Sequence, residues 1–318
     1  MDVLIASEDV IATVTKEGYV KRTSLRSFMA SNGEPPGMKE GDRLLQRFDI
    51  NTTDTLLLFT KQGYYLYVPV HQLPDIRWKD NGQHIANLVS LESEDEIIEA
   101  ISVKNFSERE SLLFITRNGM AKRSQLALYQ AQRYSKPLMA LKLKGDDELV
   151  TVMKTDGQQE LFLATYLGYG LWFSEEEVSL VGQRAAGVKA INLKDGDKVI
   201  EANAFTLEDR VEFIVVTHRG AVKKISITEF DKSSRAKRGL VMLRELKSNP
   251  HRLVACKRIH AKDDSYVIQS SSGRQFMISP SEYRSSDRYS NGSFVIDTTT
   301  EGEISDVWQH FDTSGNKN

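Results

Sequence analysis

The sequence predicts an all-β protein whose 318 residues form a propeller-like ring of six four-stranded sheets. Three observations lead to this fold class. A short motif recurs six times, each copy is a run of apolar and often β-branched residues that ends in a turn, and no sustained apolar period of 3.6 residues lies between the copies. Radial repetition of small sheets leaves few strand edges exposed. We therefore expect a single domain over residues 1–318.

The recurring motif predicts one β-hairpin in each repeat. It consists of an apolar run, a Thr or Ser, two variable residues, a Gly and a second short run, as in residues 10–22. The apolar run is too short for a helix, and glycine takes the positive φ that a tight turn needs. The repeats are centred on six glycines spaced 45 to 56 residues apart, within the range of blade-like units: Gly18, Gly63, Gly119, Gly168, Gly220 and Gly273.

A second turn signal recurs after several hairpins and predicts further strands. Gly41-Asp42, Gly145-Asp146 and Gly196-Asp197 each lead into another strand-like run. In isolation such pairs resemble calcium ligands or acid-base groups, but Gly and Asp are ordinary turn residues, and we interpret them as such. Together with the hairpins they give roughly four strands per repeat and almost no helix.

The composition is that of a soluble globular protein. A hydrophobic content of 40% is enough for a sizeable core, and 27% charged residues argue against a membrane protein. No stretch approaches the roughly 20 apolar residues that span a bilayer, and no basic region followed by a long apolar segment opens the sequence. We expect a cytoplasmic protein. The single cysteine, Cys256, excludes a disulfide framework within the chain and lies in an apolar run typical of a buried thiol.

The sequence offers no catalytic, cofactor or metal site. Its six histidines show no metal-ligand spacing, and we interpret the carboxylates of residues 175–177 as a solvated turn. There is no Walker-type phosphate loop, and Gly168-Tyr169-Gly170 lacks the third glycine of the dinucleotide fingerprint. An enzymatic propeller is therefore the weakest functional hypothesis.

Basic residues are distributed unevenly, although the formal net charge is only −2. Residues 217–244 contain eight Lys or Arg and two acidic residues, whereas residues 92–99 contain five acidic residues and no basic one. A near-neutral total thus conceals separate positive and negative surfaces.

The cations also recur at fixed distances from the hairpin glycines. Three and four residues beyond the glycine, the odd repeats carry a basic pair and the even repeats carry apolar or aromatic residues. Equivalent positions in a ring of blades lie at equivalent heights, so such cations suit a bent phosphate backbone. The candidate DNA-binding residues are the pairs Lys21-Arg22, Lys122-Arg123 and Lys223-Lys224, the cations Lys16, Arg117 and Arg219 at hairpin tips, and Arg133, Arg184, Arg235, Lys237 and Arg238 in the loops that follow.

The sequence leaves open which residue of each basic pair contacts a phosphate, because only one side chain of a pair can face outward on a regular strand. Aromatic residues do not alternate with the cations as they do in single-strand binding sites, which favours duplex DNA without sequence specificity. The main alternative is a protein-binding scaffold that uses the apolar positions of the even repeats, Leu66-Tyr67, Leu171-Trp172 and Phe276-Met277, as contacts.

Three segments resemble the C-terminal domain of the A subunit of type IIA topoisomerases, the family of DNA gyrase and topoisomerase IV. They are residues 8–11, 15–22 and 187–199, and the resemblance covers essentially the whole chain. It implies a six-bladed β-pinwheel, a ring in which neighbouring blades exchange strands, with DNA bent around a basic outer rim. It also implies that this chain is a non-catalytic part of an ATP-dependent isomerase.

The resemblance places cofactors and most partners outside this chain. ATP and Mg would be used by other regions of the enzyme, which include the N-terminal catalytic region of the same polypeptide and the ATPase B subunit. Double-stranded DNA would bind the rim. We expect the isolated domain to be monomeric, with no cofactor or metal of its own, in a bacterial protein associated with the nucleoid.

The region after the first hairpin distinguishes the two enzymes of this family. Gyrase carries a Gln-Arg-Arg-Gly-Gly-Lys-Gly-like box there, whereas residues 28–39 have no Gln-Arg pair and contain one acidic residue and two prolines. A partial echo at residues 183–189 lacks the paired glycines. The absent box favours topoisomerase IV, in which the rim would present DNA segments for strand passage during decatenation and relaxation. A gyrase domain that wraps DNA for negative supercoiling is the alternative.

Overall fold

The computed structural model describes residues 4–107 and 109–311, and in these ranges the chain is almost entirely strand and turn. The strands are β1 Asp9–Thr15, β2 Tyr19–Ser24, β3 Leu44–Asn51, β4 Thr55–Thr60, β5 Tyr64–Pro69, β6 Gln83–His84, β7 Ile97–Val103, β8 Ser111–Thr116, β9 Met120–Gln125, β10 Leu138–Met139, β11 Leu149–Thr155, β12 Glu160–Thr165, β13 Tyr169–Ser174, β14 Val188–Lys189, β15 Val199–Phe205, β16 Glu212–Thr217, β17 Ala221–Ser226, β18 Leu240–Val241, β19 Leu253–Arg258, β20 Tyr266–Ser270, β21 Gln275–Ile278, β22 Ser285–Ser286, β23 Ser293–Phe294 and β24 Ile304–Gln309. The helices are α1 Leu25–Ala30 and α2 Thr298–Glu301, and 3₁₀ turns cover Val70–Gln72, Ile85–Asn87, Leu126–Tyr129, Glu175–Glu177, Ile227–Glu229 and Pro280–Glu282. The predicted all-β fold class is confirmed.

Each repeat contains the hairpin that the motif predicts. The six hairpin glycines have positive φ, from +80° at Gly220 to +97° at Gly168. The threonine of the motif is a turn residue too, because its hydroxyl accepts a hydrogen bond from the residue after the glycine. In the first hairpin the Tyr19 amide donates to Thr15 Oγ1 over 3.0 Å. The side chain thus satisfies a backbone amide at the point where the chain reverses.

The aspartates of the second turn signal brace the hairpins of their own repeats. The Glu17 amide donates to Asp42 Oδ1 over 3.1 Å, and the Leu167 amide donates to Asp197 Oδ1 over 2.9 Å. These carboxylates accept hydrogen bonds from backbone amides, as turn residues do.

Six sheets form the blades of the ring, and neighbouring blades exchange strands. Blade 1 has the order β3-β1-β2-β6, blade 2 β10-β5-β4-β7, blade 3 β11-β8-β9-β14 and blade 4 β15-β12-β13-β18. In blades 1 to 5 an outer strand comes from the following repeat: β6, β10, β14, β18 and β23 pair with β2, β5, β9, β13 and β17. This exchange confirms the six-bladed β-pinwheel. Blade 5 also contains β22, and within the described ranges blade 6 consists of β21, β20 and β24.

The core is a series of apolar layers between adjacent blades. Phe162 of blade 4 and Phe213 of blade 5, for example, stack with ring centroids 4.7 Å apart. Cys256 lies in the same layer and is buried, as the sequence predicts. Burial raises the pKa of its thiol. The innermost strands surround a central channel of about 450 Å³.

The junction between blade 6 and blade 1 includes a polar contact. Arg43, which precedes β3, lies 3.2 Å from the carboxylate of Asp306 on β24, and its guanidinium lies 4.6 Å from the centroid of the Trp308 ring. An ion pair with an exposed partner contributes about 0 to 1 kcal/mol. In the described ranges, neither helix is long and apolar enough to cross a membrane.

Candidate nucleic-acid interface

The basic pairs of the odd repeats begin with a buried lysine. Lys21, Lys122 and Lys223 are only 1 to 2% exposed. The expectation that these three lysines lie on the outer rim is therefore wrong. Their side chains extend instead toward the loop that arrives from the following repeat, where buried charged groups require hydrogen-bond partners.

The ammonium group of Lys21 binds the backbone of that loop. Its Nζ donates to the carbonyl oxygen of Trp78 over 2.7 Å and to that of Asp80 over 2.6 Å. Burial lowers the pKa of Lys21 to about 8, and attraction to Asp80 opposes this effect. The lysine fastens the loop that carries β6 to the hairpin of blade 1.

Lys122 and Lys223 have the same role in blades 3 and 5. Lys122 Nζ donates to the carbonyl of Gln183, in the loop that carries β14, and to that of Ala140 over 2.8 Å. Lys223 Nζ donates to the carbonyl of Ser290, in the loop that carries β23, over 2.6 Å. Burial lowers the pKa of Lys122 to about 7 and that of Lys223 to about 8. The repeated lysines therefore stabilise the strand exchange.

The second members of the pairs lie closer to the surface, but two of them are also engaged. Arg22 lies 3.8 Å from Asp75, and Arg123 lies 3.7 Å from Glu175. Each of these arginines also donates to a backbone carbonyl of the incoming loop. Lys224 is half-buried. The outward-facing residue of each pair is thus the second one, and in blades 1 and 3 it is neutralised by a carboxylate.

Glu175 is buried, so the interpretation of residues 175–177 as a solvated turn is wrong for this residue. Thr155 Oγ1 donates to its Oε1 over 2.7 Å, and the Gln159 amide donates to its Oε2 over 2.9 Å. Burial raises the pKa of Glu175, and these hydrogen bonds and Arg123 oppose the increase. The carboxylate is a structural partner of Arg123.

The cations at the hairpin tips do not form a basic ring either. Arg117 pairs with Asp146 at 3.6 Å and with Glu148 at 3.1 Å. Arg219 Nη1 donates to a backbone carbonyl over 2.8 Å. Lys16 is half-buried and lines the central channel. Acidic side chains and carbonyls at the same end of the ring thus offset much of the positive charge at the tips.

A net positive charge lies instead in four loops at the outer edge. Loops 130–137, 178–187, 231–239 and 283–292, which we call the outer band, lead into the exchanged strands of blades 2 to 5. They contain nine Lys or Arg and two Asp, whereas the corresponding loop of blade 1, residues 73–82, contains two of each. Among the candidate residues in the outer band, Arg133, Arg184 and Lys237 are exposed, and Arg235 and Arg238 are half-buried.

Hydrogen bonds join the loops of the outer band to their neighbours. The Lys142 amide donates to the Ala185 carbonyl over 3.2 Å, and the Asn192 amide donates to the Lys237 carbonyl over 2.8 Å. Arg288 Nη1 donates to a carbonyl of β18 over 2.9 Å. The exposed cations therefore stand on one connected surface that follows the circumference of the ring.

Three of the six apolar residues at these positions of the even repeats are buried, and Trp172 and Phe276 are half-buried. Leu66, Tyr67 and Leu171 lie in the layers between blades, because both faces of a hairpin pack against neighbouring blades. They are not available as the contacts of a protein-binding scaffold. Met277 of blade 6 differs, since it is 57% exposed.

The outer band also contains Lys136, which is exposed, and Lys232, which pairs with Glu160; neither is among the candidates named from the sequence. These loops can be recognised in the sequence. Each loop ends in a Gly or Pro, which is followed by a two-residue strand and then by an apolar pair. At Gly187 a Cβ atom would lie 2.2 Å from the carbonyl oxygen of Ala121, so only glycine fits there. The residues that precede the five exchanged strands are Gly82, Pro137, Gly187, Gly239 and Gly292.

The central channel contains two acidic residues that are not among the candidates named from the sequence. Glu99 on β7 accepts a 3.1 Å hydrogen bond from Thr151, and Glu201 on β15 pairs with Lys257 at 3.1 Å. Burial raises the pKa of both carboxyls, that of Glu99 to about 7. Among the described residues, no three His, Cys, Asp or Glu side chains are grouped closely enough to hold a metal ion.

Known proteins share the sequence and the architecture of this chain. A family model described as "DNA gyrase C-terminal domain, beta-propeller" matches residues 9–32, 54–104, 110–156, 159–205 and 212–260. Over 309 residues, 97% of this chain, the sequence is 53% identical to the A subunit of DNA topoisomerase 4 from Bacillus subtilis (strain 168). It is 40% identical over 307 residues to the subunit of the same name in Staphylococcus aureus. The chain spans 38% of the length of these relatives.

Solved structures agree with the sequence comparison. A crystal structure of the C-terminal domain of DNA topoisomerase IV superposes with a TM-score of 0.92 at 53% identity, covering 98% of this chain and 96% of that one. The DNA gyrase A C-terminal domain superposes with a TM-score of 0.70 at 18% identity, covering 96% of this chain and 100% of that one, which shows a shared fold.

Proposed function

The chain belongs to the DNA gyrase C-terminal domain family, and on that premise we propose that it binds duplex DNA without sequence specificity and bends it around the outer band. The resemblance found in the sequence is confirmed by the match to topoisomerase IV A subunits. The finer role is to present a DNA segment to the catalytic part of a type IIA topoisomerase.

The observation that carries this proposal is the outer band. Nine cations and two acids lie on loops that are joined by hydrogen bonds around the outer edge of four blades. Lysine and arginine side chains on such a surface bind phosphates and supply affinity without reading sequence. Because the loops are connected, the positions of the cations are largely set before DNA arrives.

The curvature of the outer band supports bending rather than straight contact. Smoothly bending a 20 to 30 base-pair site by 40 to 90° costs on the order of 1 to 6 kcal/mol. Several phosphate contacts must offset this cost, and they are available only if the duplex follows the band from blade to blade. A straight duplex would contact the cations of one or two blades.

The segment that stands where gyrase has its box favours a role in topoisomerase IV. The Trp78 indole donates to the Glu34 carbonyl over 2.7 Å, and the Gly37 amide donates to the Trp78 carbonyl over 2.9 Å. This segment is bound to blade 1 and carries a carboxylate where gyrase carries arginines. We infer segment presentation for decatenation and relaxation rather than a complete wrap.

The remaining enzyme functions belong to other parts of the assembly in this proposal. The catalytic region of the same polypeptide cleaves DNA, and a B subunit binds and hydrolyses ATP with Mg. The domain itself carries neither catalytic residue nor cofactor, and it acts in the bacterial cytoplasm at the nucleoid.

A salt-dependent titration tests the proposal. Fluorescence anisotropy with a duplex of about 40 base pairs measures affinity at several salt concentrations, and the log-log slope becomes shallower by about 0.9 for each phosphate contact that a substitution removes. We expect the double variant Arg184→Gln with Lys237→Gln to lower both affinity and slope. The matched control is Lys61→Gln with Arg117→Gln. Lys61, at the tip of the blade 2 hairpin, pairs with Glu96 at 3.0 Å, and Arg117 is paired as well, so this variant leaves affinity and slope unchanged. Equal effects of the two variants, or no binding at low salt, would overturn the proposal.

A further inference from the structure

In the part of the chain that the structure describes, the outer edge of blade 6 differs from that of the other blades, which receive a strand from the next repeat. Among the residues that the structure describes, β21 pairs with β20 on one side and with no strand on the other. In the other blades the residue two positions after the hairpin glycine pairs with the exchanged strand, as Val20 pairs with Gln83 and Ala121 with Val188. The equivalent residue of blade 6 is Gln275, so the edge at Gln275 is open.

The hairpin turn of blade 6 is uncovered as well. In blades 1 to 5 the carbonyl of the hairpin glycine accepts a hydrogen bond from the residue after the exchanged strand, over 2.7 Å at Gly119 and 3.0 Å at Gly220. The next apolar residue then covers the glycine, as Ile191 covers Gly119 and Ile296 covers Gly220. At Gly273 the space where a Cβ would stand has no neighbouring atom within 4 Å among the described residues.

The surroundings of this edge are suited to an added strand. Met277 on β21 is 57% exposed. A strand edge with exposed apolar residues favours pairing with another strand. A groove of about 190 Å³ runs beside Gln275 and is lined in part by Pro36, Met38 and His310. The open edge at Gln275 and the uncovered turn at Gly273 together form an acceptor of the kind that the other five hairpins use, and the groove borders it at Gln275.

Repeat 1 cannot supply the missing strand, although the order of the ring assigns it that task. It passes directly from Gly37-Met38-Lys39 to Glu40-Gly41-Asp42, whereas repeat 4 has residues 190–194 between the corresponding segments. Those five residues include the apolar pair that covers the turn. The Gly37 amide is also bound to the carbonyl of Trp78 on the blade 1 side.

We propose that the open edge of blade 6 binds an extended segment of the same polypeptide that lies outside these 318 residues. The five exchanged strands define its chemistry: a Gly or Pro, two residues in strand conformation, and an apolar pair. The chain spans 38% of the length of its curated relatives, so most of such a polypeptide is tethered to this ring. Tethering gives an effective concentration in the millimolar range for short linkers. This inference rests on family membership and is independent of DNA binding.

Strand addition would hold the ring in a fixed orientation on the remainder of the polypeptide. Main-chain hydrogen bonds supply affinity in β-augmentation, and pockets for alternate side chains supply specificity. Here the pocket is the space above Gly273, and the apolar pair of the incoming segment fills it.

Hydrogen exchange detected by mass spectrometry tests the proposal by comparing the full-length polypeptide with the 318-residue chain. The related topoisomerase IV domain has been solved as a separate chain, which supports use of the domain alone. We expect the amides of residues 274–278 to exchange about tenfold more slowly, or slower still, in the full-length polypeptide. Gln275→Pro, which removes the N–H at the pairing position, abolishes this protection. Gln275→Thr keeps the N–H and retains it.

Three outcomes would overturn the proposal. Equal exchange in the full-length polypeptide and the isolated chain means that no tethered donor exists. Protection of the isolated chain that grows with its concentration identifies a second copy as the occupant. Protection in the full-length polypeptide that survives Gln275→Pro shows that this surface is covered without strand pairing.

A peptide added in trans keeps the test independent of substitutions that affect folding. The hexapeptide of residues 292–297, Gly-Ser-Phe-Val-Ile-Asp, is the natural donor for blade 5. At millimolar concentration we expect it to slow exchange in residues 274–278 of the isolated chain. The matched peptide with serines in place of Val295 and Ile296 does not. No difference between the two peptides contradicts an acceptor of this chemistry.

Discussion

The ammonium nitrogen of Lys21 lies 2.7 Å from the carbonyl oxygen of Trp78, a residue of the following repeat. The same position is occupied by Lys122 in blade 3 and by Lys223 in blade 5, each bound to carbonyls of an exchanged loop. The lysine thus recurs along the sequence because its contact with the carbonyls of an exchanged loop recurs in the fold. Removing one partner from a buried charged contact is strongly destabilising.

Substitution of Lys122 by Met is expected to lower the free energy of unfolding by about 2 to 4 kcal/mol, because carbonyl oxygens around the ammonium lose their donor. Urea denaturation measures the change. DNA affinity of the folded protein stays the same, since the side chain is buried. Lys142→Met, at an exposed lysine, is the control and shifts stability by about 0.5 kcal/mol or less. A K122M protein with normal stability and weakened DNA binding would show that this lysine belongs to the interface.

Gly187→Ala is expected to destabilise the junction of blades 3 and 4. The new Cβ would lie 2.2 Å from the carbonyl oxygen of Ala121, and a backbone atom cannot move away at low cost. We expect a loss of about 2 kcal/mol or more in thermal or urea unfolding. Gly182→Ala in the same loop meets no atom within 4 Å among the described residues and is the control. Similar stability of the two variants would contradict the close approach.

Glu99 gives the central channel a pH-dependent contribution to stability. Burial raises its pKa from 4.5 to about 7, against the effects of Thr151 and Lys257, and nearby Glu201 adds to the increase. Between these pH values the folded chain holds a proton that the unfolded chain has lost. The free energy of unfolding therefore falls as pH rises from about 4.5 to 7. Above that range Glu99 is ionised in both the folded and the unfolded chain, and it causes no further change.

Glu99→Gln removes this part of the pH dependence. At pH 8 we expect the variant to be more stable than the parent by about 1 to 3 kcal/mol, and the difference disappears near pH 4. Urea unfolding at both pH values measures it. Glu96→Gln, at an exposed acid paired with Lys61, is the control for removal of a carboxylate outside the channel. An E99Q variant with the parent's profile would show that Glu99 ionises normally in the folded chain.

The ends of the outer band are expected to control bending. Arg133 and Arg284 stand in its first and last loops, and both are exposed. Their joint substitution by Gln lowers affinity for a duplex of about 40 base pairs severalfold and reduces its bend, because the duplex can no longer be held at both ends. Energy transfer between dyes on the duplex ends reports the bend. A duplex of about 12 base pairs, which contacts fewer blades, loses less affinity. Equal losses for both lengths would mean that the duplex does not follow the band.

The repeat could be predicted from the sequence because hairpin glycines and motif threonines act locally. Gly18 and Thr15 make their contacts within the turn itself, so spacing alone identifies them. The direction of Lys21 could not be predicted in the same way. It depends on a loop more than 50 residues later, and the exchange that brings this loop to blade 1 has no local signature.

The candidate interface could be predicted only in part, for the same reason. Arg133, Arg184 and Lys237 are loop cations by sequence and are exposed, although the sequence cannot separate them from neutralised cations such as Arg117. The partners of Arg117 are acids that follow it by about 30 residues. The fold brings these acids, which lie at the second turn of the repeat, next to the hairpin tip that carries Arg117. Counting charges along the chain does not show this proximity.

Strand exchange also sets the order in which the ring can be completed during protein synthesis. Each of blades 1 to 5 takes an outer strand from the repeat made after it, so a blade emerging from the ribosome waits for the next one. A nascent chain released after repeat 4 would leave blade 4 without β18 and with an open edge. Premature termination therefore removes the blades that have not been made and also leaves the last blade that was made incomplete.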